Sequence, residues 1–595
     1  VIAIFAKTDA PPDAVQARRM LAAAPHRGSC FQLRELGRCV LGVATRADFA
    51  DASVSAEGPT IAALSGRLDN VAELHGTLVA AGCAPASPRD ADVAAAAFRA
   101  FGGDAPSRMR GAFAGVVTDG RTVSAFRDHA GFRPLFFHDG PSALVIAAEP
   151  RQVTVGAGLP EEPDLRVLEE LFYGRMPADM PAALRGVARL PQGSTLSAGT
   201  GTRPVVRRYW HPERLLESAP LDPADVAERF TDLMQQAVRR VLTGSDAVLL
   251  SGGVDSPAVA AFAAPEHRRH GRPLGALSCV FPDLPRVDER RYIELVAERL
   301  GLELHTYRPT ARALDDVEAW CRVLGGPVPI LSVPEVADSH VRARRLGYRN
   351  LLTGDFAEFV FGTPRHLVAH LLAHGRWAAL RRLVAAERAR GTSWRRLGRE
   401  GLLAAVPGPI AAAYLERRGR DASQRIPAWI DRRKVGDGIH RTDLWPAPAE
   451  RWRRLQLLGT EGSTVTIEAA EVCAAIAGVT VRCPFADVDL WEFFLSLPAD
   501  VKCPDLRDKT LARRLLRGRL PDAVLDRRDK TYFDDHVMAQ VDYPTLKRLL
   551  VRPSFRMPGV DYARLADRLA CGNLNRFEWF WAKDLARIHA FLNAW

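Results

Sequence analysis

Ser251-Gly252-Gly253-Val254-Asp255-Ser256 stands between a short apolar run, DAVLLS, and a helical stretch that opens with Pro257. Two adjacent glycines let the backbone come close to a ligand, and a proline suits the first turn of a helix. The N–H groups of such a loop, with the positive end of the helix behind them, make a place for an anion. Ser251 and Ser256 add hydroxyl donors. Asp255 adds a carboxylate able to hold Mg²⁺, the usual counter-ion of a triphosphate. The run is not GxxxxGK[ST], so ordinary P-loop chemistry is disfavoured.

The elements that must position this loop follow from the rest of the chain. At 595 residues and about 150 residues per domain, two to four domains are expected. A charged fraction of 25% excludes a largely disordered chain. Nine cysteines, sparse and odd in number, argue against a disulfide scaffold and for a reducing, cytoplasmic setting. No run approaches about eighteen consecutive apolar residues, so no integral membrane insertion is expected. VIAIFAKTDA has no basic segment ahead of its apolar stretch, so no signal peptide is expected either.

The first half reads as short strands, among them VIAIFA, CVLGVA, TIAALSG and GAFAGVVTD, alternating with helices. That pattern gives a mainly antiparallel sheet with helices, ending near residue 205. In the second half, strands DAVLLS, ALSCVF, ELHTYRP and NLLTGD alternate with helices, which implies a parallel α/β sheet. The net charge of +11 is local: residues 361–460 hold 20 Lys and Arg against 8 Asp and Glu, so the rest is nearly neutral. The stretch from about 364 to 460 is Arg-, Ala- and Trp-rich and reads as helical, broken by Pro407, Pro409 and Pro427. No recognised nucleic-acid motif accompanies it, so nucleic acid is not an expected partner.

The loop resembles the pyrophosphate loop of ATP pyrophosphatases, which split ATP into AMP and pyrophosphate while adenylating a substrate. Three further segments resemble the asparagine-synthetase branch of that group, in the same order. They are Asn350 to Gly362, Arg482-Cys483-Pro484-Phe485-Ala486-Asp487, and the lysine motifs around Asp508-Lys509-Thr510 and Asp529-Lys530-Thr531. The N-terminal half resembles that family's glutamine-hydrolysing, N-terminal-nucleophile domain through Pro25-His26-Arg27-Gly28, Gly66 to Asn70, Met109 to Ala114 and Arg127 to Leu135. The implied architecture is an αββα amidotransferase-like unit over 1–205, followed by a parallel α/β synthetase unit over 206–595. Two departures put glutaminase activity in doubt. The chain begins Val-Ile-Ala, with Cys30 its first cysteine. The turn where the family carries N-G-E reads Ser65-Gly66-Arg67, a cation in place of the substrate-gripping acid.

The resemblance implies ATP and Mg²⁺ as cofactors, with Asp255 and Glu358 on the metal, although Glu358 stands where the family usually has Asp. It places the backbone of Leu277, Ser278 and Val280 at adenine, Gly354 in the second loop, and Lys509 on the β- and γ-phosphates. Asp355, where asparagine synthetases carry glutamate and β-lactam synthetases tyrosine, would take a proton from the attacking ammonium. Lys530 would stabilise charge on the adenylate and the tetrahedral intermediate. A lasso-peptide cyclase is the expected activity, closing a macrolactam between an Asp or Glu side chain of a precursor core peptide and its N-terminal amine. Its partners would be a leader peptidase and a leader-recognition protein. Ammonia-dependent asparagine synthesis is the runner-up, and β-lactam synthesis and a non-enzymatic scaffold are the other readings. The basic segment, with Trp377, Trp394, Trp429, Trp445 and Trp452, offers candidate walls for a peptide groove. Cys473, Cys483 and Cys503 fit no zinc spacing, and His26 and His129 are expected to be structural.

Overall fold

The computed structural model describes residues 1–8, 13–174, 181–218, 225–395, 397–398, 426–435, 448–460, 465–527, 531, 534–551, 553–572 and 574–595. The β-rich runs of the first half pair into two six-stranded sheets. One has the order Ala188–Arg189, Phe136–Asp139, Ala143–Ala147, Ile2–Ala6, Cys39–Thr45, Cys30–Leu36. The other runs Val205–Arg208, Ser194–Gly199, Thr122–Arg127, Gly111–Thr118, Ile61–Leu68, Ala52–Val54. Pairing is antiparallel in both. Phe5, Leu41 and Ile146 of the first sheet share a core with Ala63, Val116 and Leu196 of the second. Met20 and Val153 carry two helices onto the outer face of the first sheet, and Leu74 and Ala94 carry two more onto the second. The unit is therefore αββα, as expected. Strands such as Ile2–Ala6 and Cys39–Thr45 are buried on both faces, which is why they read as continuous apolar runs.

The second half forms a five-stranded parallel sheet in the order Glu303–Tyr307, Gly275–Cys279, Asp246–Leu249, Asn350–Leu352, Thr480–Arg482. Four of these strands were legible. The fifth, Thr480–Arg482, is too short to show a period. The strand order reverses between Asp246–Leu249 and Asn350–Leu352, and a crevice at the carboxyl ends of strands forms at such a point. The two loops leaving those strands carry Ser251–Ser256 and Gly354–Glu358.

Phe356 anchors this corner. It is 1% exposed, stacks on Phe132 of the first unit at 5.4 Å, and meets Trp491 and Phe359 edge-on at 5.4 and 5.7 Å. Its backbone is left-handed, φ 68°, a strained state that packing must hold in place. Phe356→Ala is expected to cost about 3–5 kcal/mol of stability and to loosen the second loop. Chemical denaturation followed by tryptophan fluorescence checks it.

The basic segment is only partly a helical wall. Leu367–Ala373, Trp377–Ala389 and Pro448–Leu457 are helices, while Trp445 lies outside the described residues. Trp429 and Trp452 are each 1% exposed and belong to the core, so they cannot line a groove. The cause is packing: Trp452 closes a small cluster with Leu367, Leu371 and Leu383. Trp377 and Trp394 remain exposed, at 61% and 63%. Among the described residues no helix is long and apolar enough to cross a membrane.

Candidate active site

The phosphate loop is tied down from within. The Ser251 N–H donates to Ser256 Oγ at 2.9 Å, and the two serine hydroxyls lie 3.1 Å apart. The Gly252 N–H donates to Glu289 Oε2 at 2.9 Å, and Arg527 bridges Glu289 Oε1 at 2.7 Å and the Gly252 carbonyl at 3.1 Å. A Cβ on Gly252 would come within 2.7 Å of the Glu289 Cβ, so glycine is required there. Glu289 and Arg527 were not singled out from sequence as site residues. The acid pair Asp288-Glu289 and the arginines just ahead of Lys530 were the available signal. Ser251, Gly252 and Gly253 donate inside the protein, Pro257 has no N–H, and the Ala258 N–H bonds the Val254 carbonyl. The N–H groups of Val254, Asp255 and Ser256, at the head of the helix Asp255–Arg269, therefore face the anion end of the loop.

Gly354 brings the second loop against the first. A Cβ there would lie 2.4 Å from the Ser256 nitrogen and 2.9 Å from the Asp255 Cβ. The Asp355 carbonyl accepts from the Cys483 thiol at 2.6 Å, which ties the loop to the Arg482 segment. Asp255, Asp355 and Glu358 thus line one cavity of about 410 Å³, with Ser251, Ser256 and Gly354. Asp355 and Glu358 are open to that cavity, yet surrounding protein desolvates them. Desolvation first, and the like charge of Asp255 with it, raises both pKa values.

Asp255 Oδ2 accepts a hydrogen bond from Lys509 Nζ, while Asp255 Oδ1 is buried with no partner among the described residues. Lys509 is held with φ 59° at the head of the helix Thr510–Leu515, and this strain aims its side chain at the loop. An orphaned carboxylate oxygen beside a second carboxylate, Glu358, fits a divalent cation; the Lys509 ammonium is the positive charge on Asp255 here. Lys530 lies outside the described residues. Leu277, Ser278 and Val280 are not brought into the 410 Å³ cavity. They sit at the end of Gly275–Cys279, where the Leu277 carbonyl accepts from Leu250 and the Val280 N–H donates to Tyr307. The Ser278 hydroxyl donates to the Leu250 carbonyl.

The opposite wall of the cavity comes from two helices. Val333–Arg345 contributes Val333, Val336 and His340, and Val465–Ala477 contributes Ala469, Ala470 and Cys473. His340 is 1% exposed and burial pushes it down to about 4, so it is neutral. No sequence signal marked this wall, because its residues are ordinary helix-core types.

In the first unit the leading strand Ile2–Ala6 is buried, with Val1 beside it at 6% exposure. Around it run Arg27, Glu149, Asp51 and Arg133, joined by Glu471 of the second unit. Arg67 lines a separate cavity of about 610 Å³ between the units, beside Asp90 and Arg482. His26 hydrogen-bonds Glu149 at 3.1 Å. His129 packs edge-on against Tyr209 and Trp210, and burial lowers it to about 3. Cys473, Cys483 and Cys503 are buried and unlinked.

Comparison with known proteins finds a family match in each half of the chain. Residues 229–564 match the asparagine synthase family model and residues 2–210 the glutamine amidotransferase domain. Asparagine synthetase [glutamine-hydrolyzing] 3 of Bacillus subtilis is 24% identical over 79% of this chain and 75% of its own length. The carboxyethyl-arginine beta-lactam-synthase of Streptomyces clavuligerus is 32% identical over 36% of this chain and 38% of its own length. A putative glutamine-hydrolyzing asparagine synthetase of Mycobacterium tuberculosis (strain ATCC 25618 / H37Rv) is 29% identical over 33% of this chain and 32% of its own. With the family model covering more than half of its residues, the chain belongs to the asparagine synthase family of ATP-dependent, AMP-forming carbon–nitrogen ligases.

Proposed function

We propose that this protein is a lasso-peptide cyclase, an ATP-dependent macrolactam synthetase acting on a precursor core peptide. The observation that carries the reading is the chemistry of the 410 Å³ cavity. Its described lining holds acids at the phosphate end and Ile330, Val333, Val336 and Ala469 opposite, with no Lys or Arg among the described lining residues. A free amino acid would bring an α-carboxylate that wants a cation. A side-chain carboxylate embedded in a peptide brings none. The Arg67 turn supports a nucleophile from elsewhere than glutamine.

In the proposed reaction an Asp or Glu side-chain oxygen of the peptide attacks the α-phosphorus of ATP, and the bond to pyrophosphate breaks. The peptide's N-terminal nitrogen then attacks the acyl carbon, and the bond to AMP breaks. Mg²⁺, held by Asp255 and Glu358, would neutralise triphosphate charge. The first helical turn and Lys509 would hold the departing phosphates, and Asp355 would receive the ammonium proton. Lys530 is proposed to steady charge at the reacting centre. A leader peptidase and a leader-recognition protein would deliver the substrate, in the cytoplasm. Similarity to the β-lactam synthase favours a second reading, intramolecular closure of a small amino acid.

Full-length protein incubated with ATP, Mg²⁺ and a leaderless precursor peptide is expected to yield a peptide lighter by one water, with AMP. The product should be lost in Lys530→Ala. Conversion of aspartate and ammonium to asparagine would overturn the proposal. A protein without substrate-dependent ATP–pyrophosphate exchange would be a scaffold.

A further inference from the structure

The four N-terminal segments that resemble an amidotransferase all send charged side chains across to the synthetase unit. Arg27 donates to Glu471 Oε2 at 2.6 Å, Asp69 pairs with Arg482, and Arg110 donates to Asp489 at 2.8 Å. Arg127 donates to Glu468 Oε1 at 2.6 Å, and Arg133 to Glu471 Oε1 at 2.5 Å. Arg189 adds a second guanidinium to Glu468. The turn that would grip glutamine is changed at Arg67, while the residues that reach across are present.

Glu468 and Glu471 belong to the helix Val465–Ala477, which also carries the pocket wall. Thr466, Ala469, Ala470 and Cys473 fall at helical spacing i, i+3, i+4 and i+7 and line the cavity. Glu468 and Glu471, three apart, fall on the side that meets the first unit. Both are buried, at 7% and 6% exposure, as are Arg127 at 1% and Arg133 at 5%. Buried pairs with two guanidinium partners per carboxylate fix position strongly, because either partner alone would be an uncompensated buried charge. Arg127 is itself pinned to three carbonyls, of Arg133, Leu190 and Gly131.

We propose that the first unit acts as a clamp on this helix, making Glu468 and Glu471 positioning residues for the wall that faces the reacting carboxylate. This rests on the 410 Å³ cavity being the reaction site. Displacement of a substrate-positioning wall by about 1 Å is enough to cost up to about a hundredfold in rate. The phosphate loop, held by Glu289 and Arg527, lies outside the clamp.

The test compares full-length wild type, Glu471→Gln and Arg110→Gln. The last breaks an interface contact away from the helix, and Arg240 still holds Asp489. Alkylation of Cys473 by iodoacetamide, mapped by mass spectrometry, reports the wall without any acceptor substrate. Cys503, in a different cluster, is the internal control. Burial raises both thiols to about 12, and the Glu471 charge adds to this at Cys473, so wild-type labelling is slow. Arg189→Gln, which leaves Glu471 in place, must also speed Cys473 labelling for the clamp to stand. Glu471→Gln is expected to speed Cys473 labelling about tenfold or more, with Cys503 within about twofold and ATP affinity unchanged. Arg110→Gln, at a similar loss in Tm, should leave Cys473 slow. Where the peptide substrate turns over, kcat/KM for peptide should fall about tenfold in Glu471→Gln while KM for ATP holds. Uniform acceleration of all cysteines, or an unchanged Cys473 rate, would overturn the clamp. Should Glu471→Gln fail to fold, Arg189→Gln, which leaves Arg127 on Glu468, is read by the same criteria. Peptide turnover failing in wild type would remove the cyclase reading and leave the labelling result standing.

Discussion

Asp255→Ala is expected to abolish ATP–pyrophosphate exchange, by about a thousandfold or more, in a protein that still folds. The carboxylate stands in the first turn of its helix, accepts from Lys509 on one oxygen and leaves the other buried with no partner among the described residues. Its loss from a helix N-terminus should cost about 1 kcal/mol or less of stability, because the surrounding loop is secured by Ser256 and by Glu289 with Arg527 instead. The loss to chemistry is larger for a physical reason. Without Asp255 the triphosphate's counter-cation keeps only Glu358, and Lys509 loses the group that aims it. Pyrophosphate exchange measured beside a denaturation curve separates the two. Retention of exchange within about tenfold of wild type would show that Asp255 does not hold the metal.

Asp355→Asn should give the opposite separation: exchange preserved, amide formation reduced by about a hundred- to ten-thousandfold. Asparagine keeps the size and the hydrogen-bonding reach of the side chain but cannot accept a full proton. The loop geometry does not depend on the carboxylate, since Gly354, Phe356 and the bond from Cys483 to the Asp355 carbonyl set it. Single-turnover formation of peptide product, compared with exchange on the same preparation, checks this. Equal losses in both would place Asp355 in adenylation and leave the proton acceptor to another group.

The sequence by itself determined the chemistry at the end of one strand. Ser251 to Ser256 could be read as an anion loop because a glycine pair, two hydroxyls and an acid lie within six residues, between a strand and a helix. The ordered motifs also carried the two-unit architecture, since each is local and separated from the next by periodic runs. What joins those motifs was decided by tertiary structure. Glu289 and Arg527 are 238 residues apart, and neither shows its partner until the fold brings them to Gly252. The basic stretch looked like an aromatic groove wall, but Trp429 and Trp452 went to the core. A tryptophan's position in sequence does not say which of its sides is covered. The apolar wall of the cavity gave no signal, because alanine, valine and cysteine at helical spacing read as core whichever side of a cavity they face. The long-range charge pairs between the units, Arg27 and Arg133 with Glu471 above all, depend on burial. Burial lowers the dielectric and so decides whether an arginine is a solvated surface charge or a clamp.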